Sequence, residues 1–164
     1  MKSLPRLTMV LALALASGSA FAQTTREALI GGWSAVSVID RIDGKDTEIF
    51  GPNPLGYMAF DANGRFTIQL FRSDLPKLAS NNRTRTSPEE SAAIAQGLVS
   101  YFGSWKLVNP QSGEIAVHIE GSSFPNWNGT APTRFMAVQG ERLTVRNPAT
   151  SAGGTATVSL QRVR

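Results

Sequence analysis

One pattern recurs through this chain and limits what it can fold into. A run of five to eight β-prone residues is followed by a turn signal, and then another such run begins. The runs are Trp33–Asp40, Asp46–Phe50, Gly56–Asp61, Arg65–Phe71, Ser104–Asn109, Glu114–Glu120, Thr133–Val138, Arg142–Arg146 and Thr155–Gln161. Asp43-Gly44, Asn63-Gly64, Ser112-Gly113 and Gln139-Gly140 lie between them. Pairs of this type tolerate the positive φ that tight hairpins require. Strands joined by short hairpins pair with their sequence neighbours. The prediction is a mainly β, antiparallel meander, closed as a barrel or folded as a sandwich.

One segment departs from this pattern. In SPEESAAIAQGLVSYFG, Ser87 can cap a helix, Pro88 suits its first position and Glu90 completes a capping box. Ile94, Leu98 and Tyr101 then fall at helical spacing, and Gly103 can end the helix. A single inserted α-helix over about residues 87–102 is expected. The preceding stretch, Arg72–Thr86, has four basic residues, one Asp and no periodicity. It is expected to be a surface connection, with a lid as the alternative.

The amino terminus has the form of an export signal. Lys2 and Arg6 precede the short apolar run LTMVLALALA, and Ala20-Phe21-Ala22 matches an A-x-A cleavage site. Residues 1–22 are therefore expected to be removed, leaving 23–164 as one domain in the periplasm or outside the cell. The run is short for a membrane span, so no transmembrane segment is expected after cleavage. Loss of Lys2 and Arg6 takes the formal charge from +4 to +2, too small an excess to suggest a nucleic-acid partner. The chain has no Cys, which excludes disulfides and thiol chemistry. Its single His, His118, excludes a His-based metal cluster, and no metal or cofactor is expected. No phosphate-binding glycine loop or G-x-S-x-G elbow occurs.

His118 is the residue with most chemical potential, and its direction is open. On Glu114–Glu120 the residues Ile115, Val117 and Ile119 share one face, while His118 and Glu120 share the other. If the aliphatic face is internal, His118 is in solvent. If the helix covers the outside of this strand, His118 and Glu120 point inward, about 7 Å apart along the strand. Other strands interleave polar and aromatic residues in the same way. An apolar interior with a few placed polar groups is the usual make-up of a small-molecule pocket.

The blocks FGPNPLGYMAFDANGRFTIQLFR, SYFGSW and HIEGSSFPNWNGT resemble the lipocalin-like domain family, and the resemblance extends over nearly all of residues 23–164. It implies an antiparallel up-and-down β-barrel of 8–10 strands, of the calycin type, with an internal cavity. Gly31-Gly32-Trp33 resembles the G-x-W start of lipocalins, where the Trp closes one end of the barrel under a basic residue from the last strand. Arg162 is the position that could supply that residue here. Unlike an ordinary lipocalin, the chain has no Cys, and its helix is expected mid-chain rather than after the last strand. The leading expectation is an exported protein that binds a small apolar or amphipathic ligand. Tyr57, Trp105 and Trp127 would give contact area, Gln69, Asn126 and His118 would orient polar groups, Arg72 would meet an anionic head, and Glu120 would stand beside His118. The alternative is a cofactor-free cyclase or isomerase with His118 and Glu120 as its acid–base pair. A third reading is an envelope protein with a packed interior and no ligand.

Overall fold

A computed structural model describes residues 23–164. The expected signal segment, 1–22, lies outside the described residues. Nine strands follow a one-turn helix, α1 (Arg26–Leu29): β1 (Gly31–Ile42), β2 (Lys45–Thr47), β3 (Leu55–Phe60), β4 (Arg65–Phe71), β5 (Leu98–Asn109), β6 (Glu114–Ser122), β7 (Thr133–Gln139), β8 (Arg142–Asn147) and β9 (Thr155–Arg162). Helix α2 (Pro88–Gly97) lies between β4 and β5, and a 3-10 turn (Pro125–Trp127) follows β6. β1 and β3 through β9 pair antiparallel in order, and β1 pairs again with β9, so eight strands close into a barrel. β2 only extends the first hairpin beyond its rim. Closure leaves these eight strands without an unpaired edge.

The turn signals act as their residue types require. Gly44, Gly64, Gly113 and Gly140, one from each expected hairpin, all have positive φ, and Asp43 joins Gly44 there. Inside the barrel the core is made by alternate residues. Met58 and Phe60 on β3, Phe66, Ile68 and Leu70 on β4, and Ile115, Val117 and Ile119 on β6 are all buried.

Two expected elements differ. The run Asp46–Phe50 yields only the three-residue stub β2, because Gly51 donates to the Glu48 carbonyl in a turn that drives Phe50 into the core. The helix stops at Gly97 rather than near residue 102. Leu98–Ser104 instead pairs with the whole of β4, from Leu98 opposite Phe71 to Ser104 opposite Arg65. The capping box at Ser87 and Glu90 forms as expected. Beyond it, Val99, Tyr101 and Phe102 are β-branched or aromatic, and a long ladder partner is available, so pairing prevails over helical spacing. Tyr101 consequently faces the barrel interior. At Gly103 the backbone of β6 comes so close that any Cβ would collide with the His118 carbonyl oxygen, and the ladder slips there by a bulge. Only glycine fits.

The barrel has one closed end. Trp33 is fully buried and donates through Nε1 to the Leu29 carbonyl at 3.0 Å. The Arg162 guanidinium lies 4.0 Å from the Trp33 ring centre and donates to the carbonyls of Ile30 and Ala28 at 3.0 and 2.6 Å. This is the Trp–basic arrangement that the lipocalin resemblance implies. Arg26 covers Trp105 at the same end, and Trp105 meets Phe60 edge-on.

Candidate ligand-binding site

The opposite half of the barrel is not filled. A cavity of about 90 Å³ lies between Val38, Met58, Leu70, Tyr101, Val145 and Val158, under Phe50 and Trp127. Outside it, a groove of about 840 Å³ runs between α2, the loop after β2 and the loop after β6. Its walls are mainly apolar: Ile94 and Leu98 on one side, Phe124 and Pro125 on another. Ile49, Phe50, Val99, Ser151 and Ala152 line both spaces and form a collar between them. The inner space is small beside the few hundred Å³ of an ordinary ligand site, whereas the groove falls within that range.

Helix α2 therefore stands at the mouth and turns Ile94 toward the groove instead of covering the outer sheet. The chain leading to it is tied down locally. Glu90 accepts from the backbone N–H groups of Ala79 and Ser87, at 2.8 and 2.9 Å, which holds its carboxyl below the usual range. Ser80 donates to the Arg85 carbonyl, and Asn82 accepts from the Thr84 N–H.

Two charged side chains are buried in the wall of the inner cavity. Asp40 on β1 is fully buried, and its Oδ2 accepts from the Thr150 hydroxyl at 3.0 Å. Thr150 in turn accepts from the Gly154 N–H at 3.1 Å, so Asp40 pins the loop between β8 and β9. Arg134 on β7 is 3 % exposed and donates to the carbonyl of its neighbour Thr133. Asp40 Oδ1 and Arg134 Nε have no protein partner, and the two side chains form no ion pair with each other or with any described residue. An isolated buried ion carries a penalty of several kcal/mol. The wall of this cavity holds one basic and one acidic side chain without an ion-pair partner among the described residues.

Most of the residues expected to line the interior do not. His118 and Glu120 are exposed on the outer face of β6, because Ile115, Val117 and Ile119 take the inside. Glu120 pairs with Arg65 across the outer surface (Nη2 to Oε2 2.7 Å), which lowers its pKa. Tyr57 and Gln69 are outward neighbours on β3 and β4. The Tyr57 ring lies over Gly32, where a Cβ would strike its hydroxyl. Arg72 forks onto Asp74 at 2.8 and 2.7 Å, outside the barrel, and Asn126 is exposed. Trp105 is buried, but in the packed closed half. Trp127 alone of the expected set lines the cavity, half-buried and edge-on to both Tyr101 and Phe124, with centroids 5.4 and 5.5 Å away.

Asp40, Arg134 and Tyr101 were missed. Arg134 had a legible signal, since it shares strand parity with Met136 and Val138, an apolar face. Asp40 had none. A bulge between Ala35 and Ser37 shifts the parity of β1, so that Trp33 and Asp40 both face inward.

A family model described as a lipocalin-like domain matches residues 30–161 of the chain. No curated protein of known function matches it.

Proposed function

Because the chain belongs to the lipocalin-like domain family, whose barrel is a small-molecule-binding architecture, we propose that it holds one small amphipathic molecule, with the polar end in the inner cavity and the apolar part in the mouth groove. One observation carries this reading: a small cavity with buried charged walls meets a larger apolar groove at a shared collar. A ligand bound this way would cover Ile94, Leu98, Val99 and Phe124. It would enter at the mouth, since Trp33 and Arg162 plug the other end.

The cyclase or isomerase alternative placed His118 and Glu120 together inside the cavity. With both on the outer face, the geometry favours binding. The ligand-free envelope reading required a filled interior, and the unfilled half of the barrel weighs against it.

The protein is taken to act in the periplasm or outside the cell. In support, Thr24 is buried and donates to the Met136 carbonyl at 2.9 Å. Cleavage after Ala22 would spare this anchor. Mass spectrometry of protein from a periplasmic extract should give a chain beginning at Gln23; a chain retaining Met1 would overturn the export reading.

Binding is tested with the neutral dye Nile red and by native mass spectrometry of the purified protein. Saturable dye binding that Val99→Trp reduces at least tenfold is expected, because Val99 belongs to the collar. Dye binding unaffected by Val99→Trp, or none at all, would remove this site.

A further inference from the structure

The inner cavity constrains the chemistry of whatever enters it. Its wall holds one basic side chain, Arg134, and one acidic side chain, Asp40, both buried and not paired with each other. Arg134 has unspent donor capacity: among the described residues only Nη1 has a partner, and Nε has none. Asp40 has unspent acceptor capacity, because Thr150 occupies Oδ2 alone. The rest of the wall is mainly apolar; its other polar residues include Tyr101, Asn147 and Ser151, and none of them hydrogen-bonds Asp40 Oδ1 or Arg134 Nε. A carboxylate would suit Arg134 but would place a second negative charge in the same low-dielectric space as Asp40. An ammonium group would meet the converse problem at Arg134. A purely apolar end would leave both charges as they are.

Resting on the proposed binding function, we infer that Asp40 acts as an anion in this wall and that the ligand's buried end is uncharged and two-sided, with an oxygen acceptor for Arg134 and an N–H or O–H donor for Asp40. A primary carboxamide has this character, and so does a hydroxyl beside a carbonyl. The cavity takes only a few non-hydrogen atoms, which fits a head group of this size with its chain passing through the collar into the groove. Asp40 then has two roles: it receives the donor and, through Thr150, holds the loop that forms part of the collar. Selection is by repulsion as much as by attraction, since the anion in the wall rejects the acid analogue that Arg134 alone would accept.

The experiment compares decanamide with decanoate as competitors of Nile red at neutral pH, on wild type, Asp40→Asn and Arg134→Met. Wild type should bind decanamide at least tenfold more tightly than decanoate. Asp40→Asn keeps an oxygen for Thr150 but removes the negative charge, and it should cut that preference at least tenfold by improving decanoate. Arg134→Met should weaken decanamide at least tenfold. Circular dichroism checks that each variant is folded, and Arg134→Lys, which keeps the charge, should retain part of the affinity if the methionine variant does not fold. Equal or tighter binding of decanoate by wild type, or an unchanged preference in Asp40→Asn, would overturn this inference and leave the binding function standing. Failure of both compounds and of Nile red to bind wild type would overturn both.

Discussion

Replacing Arg162 by Met separates the structural end of the barrel from the functional one. The Arg162 guanidinium makes three contacts with the closed end: hydrogen bonds to the carbonyls of Ile30 and Ala28, and its face-on approach to Trp33. Each charge-assisted hydrogen bond is worth about 1.5–3 kcal/mol, and the cation–π contact about 1 kcal/mol at a partly buried site. These contacts share one group and do not add fully, so about 4 kcal/mol is the expected loss. For a domain of this size, each kcal/mol moves Tm by about 2–4 °C, so the drop should be about 10 °C. Met keeps apolar cover over Trp33 but leaves two carbonyls without their donor. Thermal and urea unfolding followed by circular dichroism measure the loss, and Nile red titration of the folded variant measures binding. Affinity should stay within about threefold, because Arg162 is at the far end from the groove. A Tm drop under 2 °C would refute the plug, and a large change in dye affinity would refute the separation of the two ends.

Other expectations concern single contacts. Thr150→Val removes the donor to Asp40 and the acceptor for Gly154, and should lower stability by about 2 kcal/mol in urea unfolding through newly unpaired buried groups. Gly103→Ala forces a Cβ against the backbone of β6 and should cost about 3 kcal/mol or prevent folding, read from soluble yield and Tm. His118→Ala should leave both Nile red affinity and Tm essentially unchanged, since the imidazole is on the outer face. Glu120 should titrate below 4.5 by carboxyl-carbon NMR, because its bond to Arg65 favours the ionised form. The sign follows from a lowered folded-state pKa: the pair stabilises above the unfolded carboxylate range, and that contribution is lost as pH falls through the Glu120 value. Arg65→Met should raise the midpoint toward 4.5.

Much of the barrel was legible because it rests on local rules. Alternation separated two faces on β3, β4 and β6 but left open which of them turns inward, and glycine pairs specified four of the turns. The Trp33–Arg162 plug was within reach through the lipocalin resemblance of Gly31-Gly32-Trp33, not through any local rule. The site was not. The residues with evident chemistry, His118 and Glu120 above all, would face inward only if α2 covered the outer sheet, a possibility that the sequence left open. The Leu98–Ser104 segment pairs along β4 instead, which ends the helix at Gly97 and leaves it at the mouth. With no helix over it, the outer face of β6 is free to be polar, and the plain alternation holds.

The sequence by itself determined the class of fold, the hairpin order and which faces of most strands are apolar, because these depend on neighbours two to four residues apart. Tertiary structure decided which charged residues share the cavity. Asp40 and Arg134 are far apart in the chain, and a bulge in β1 turns Asp40 inward. Barrel closure then brings β1 and β7 around one space, a relation that no local pattern encodes.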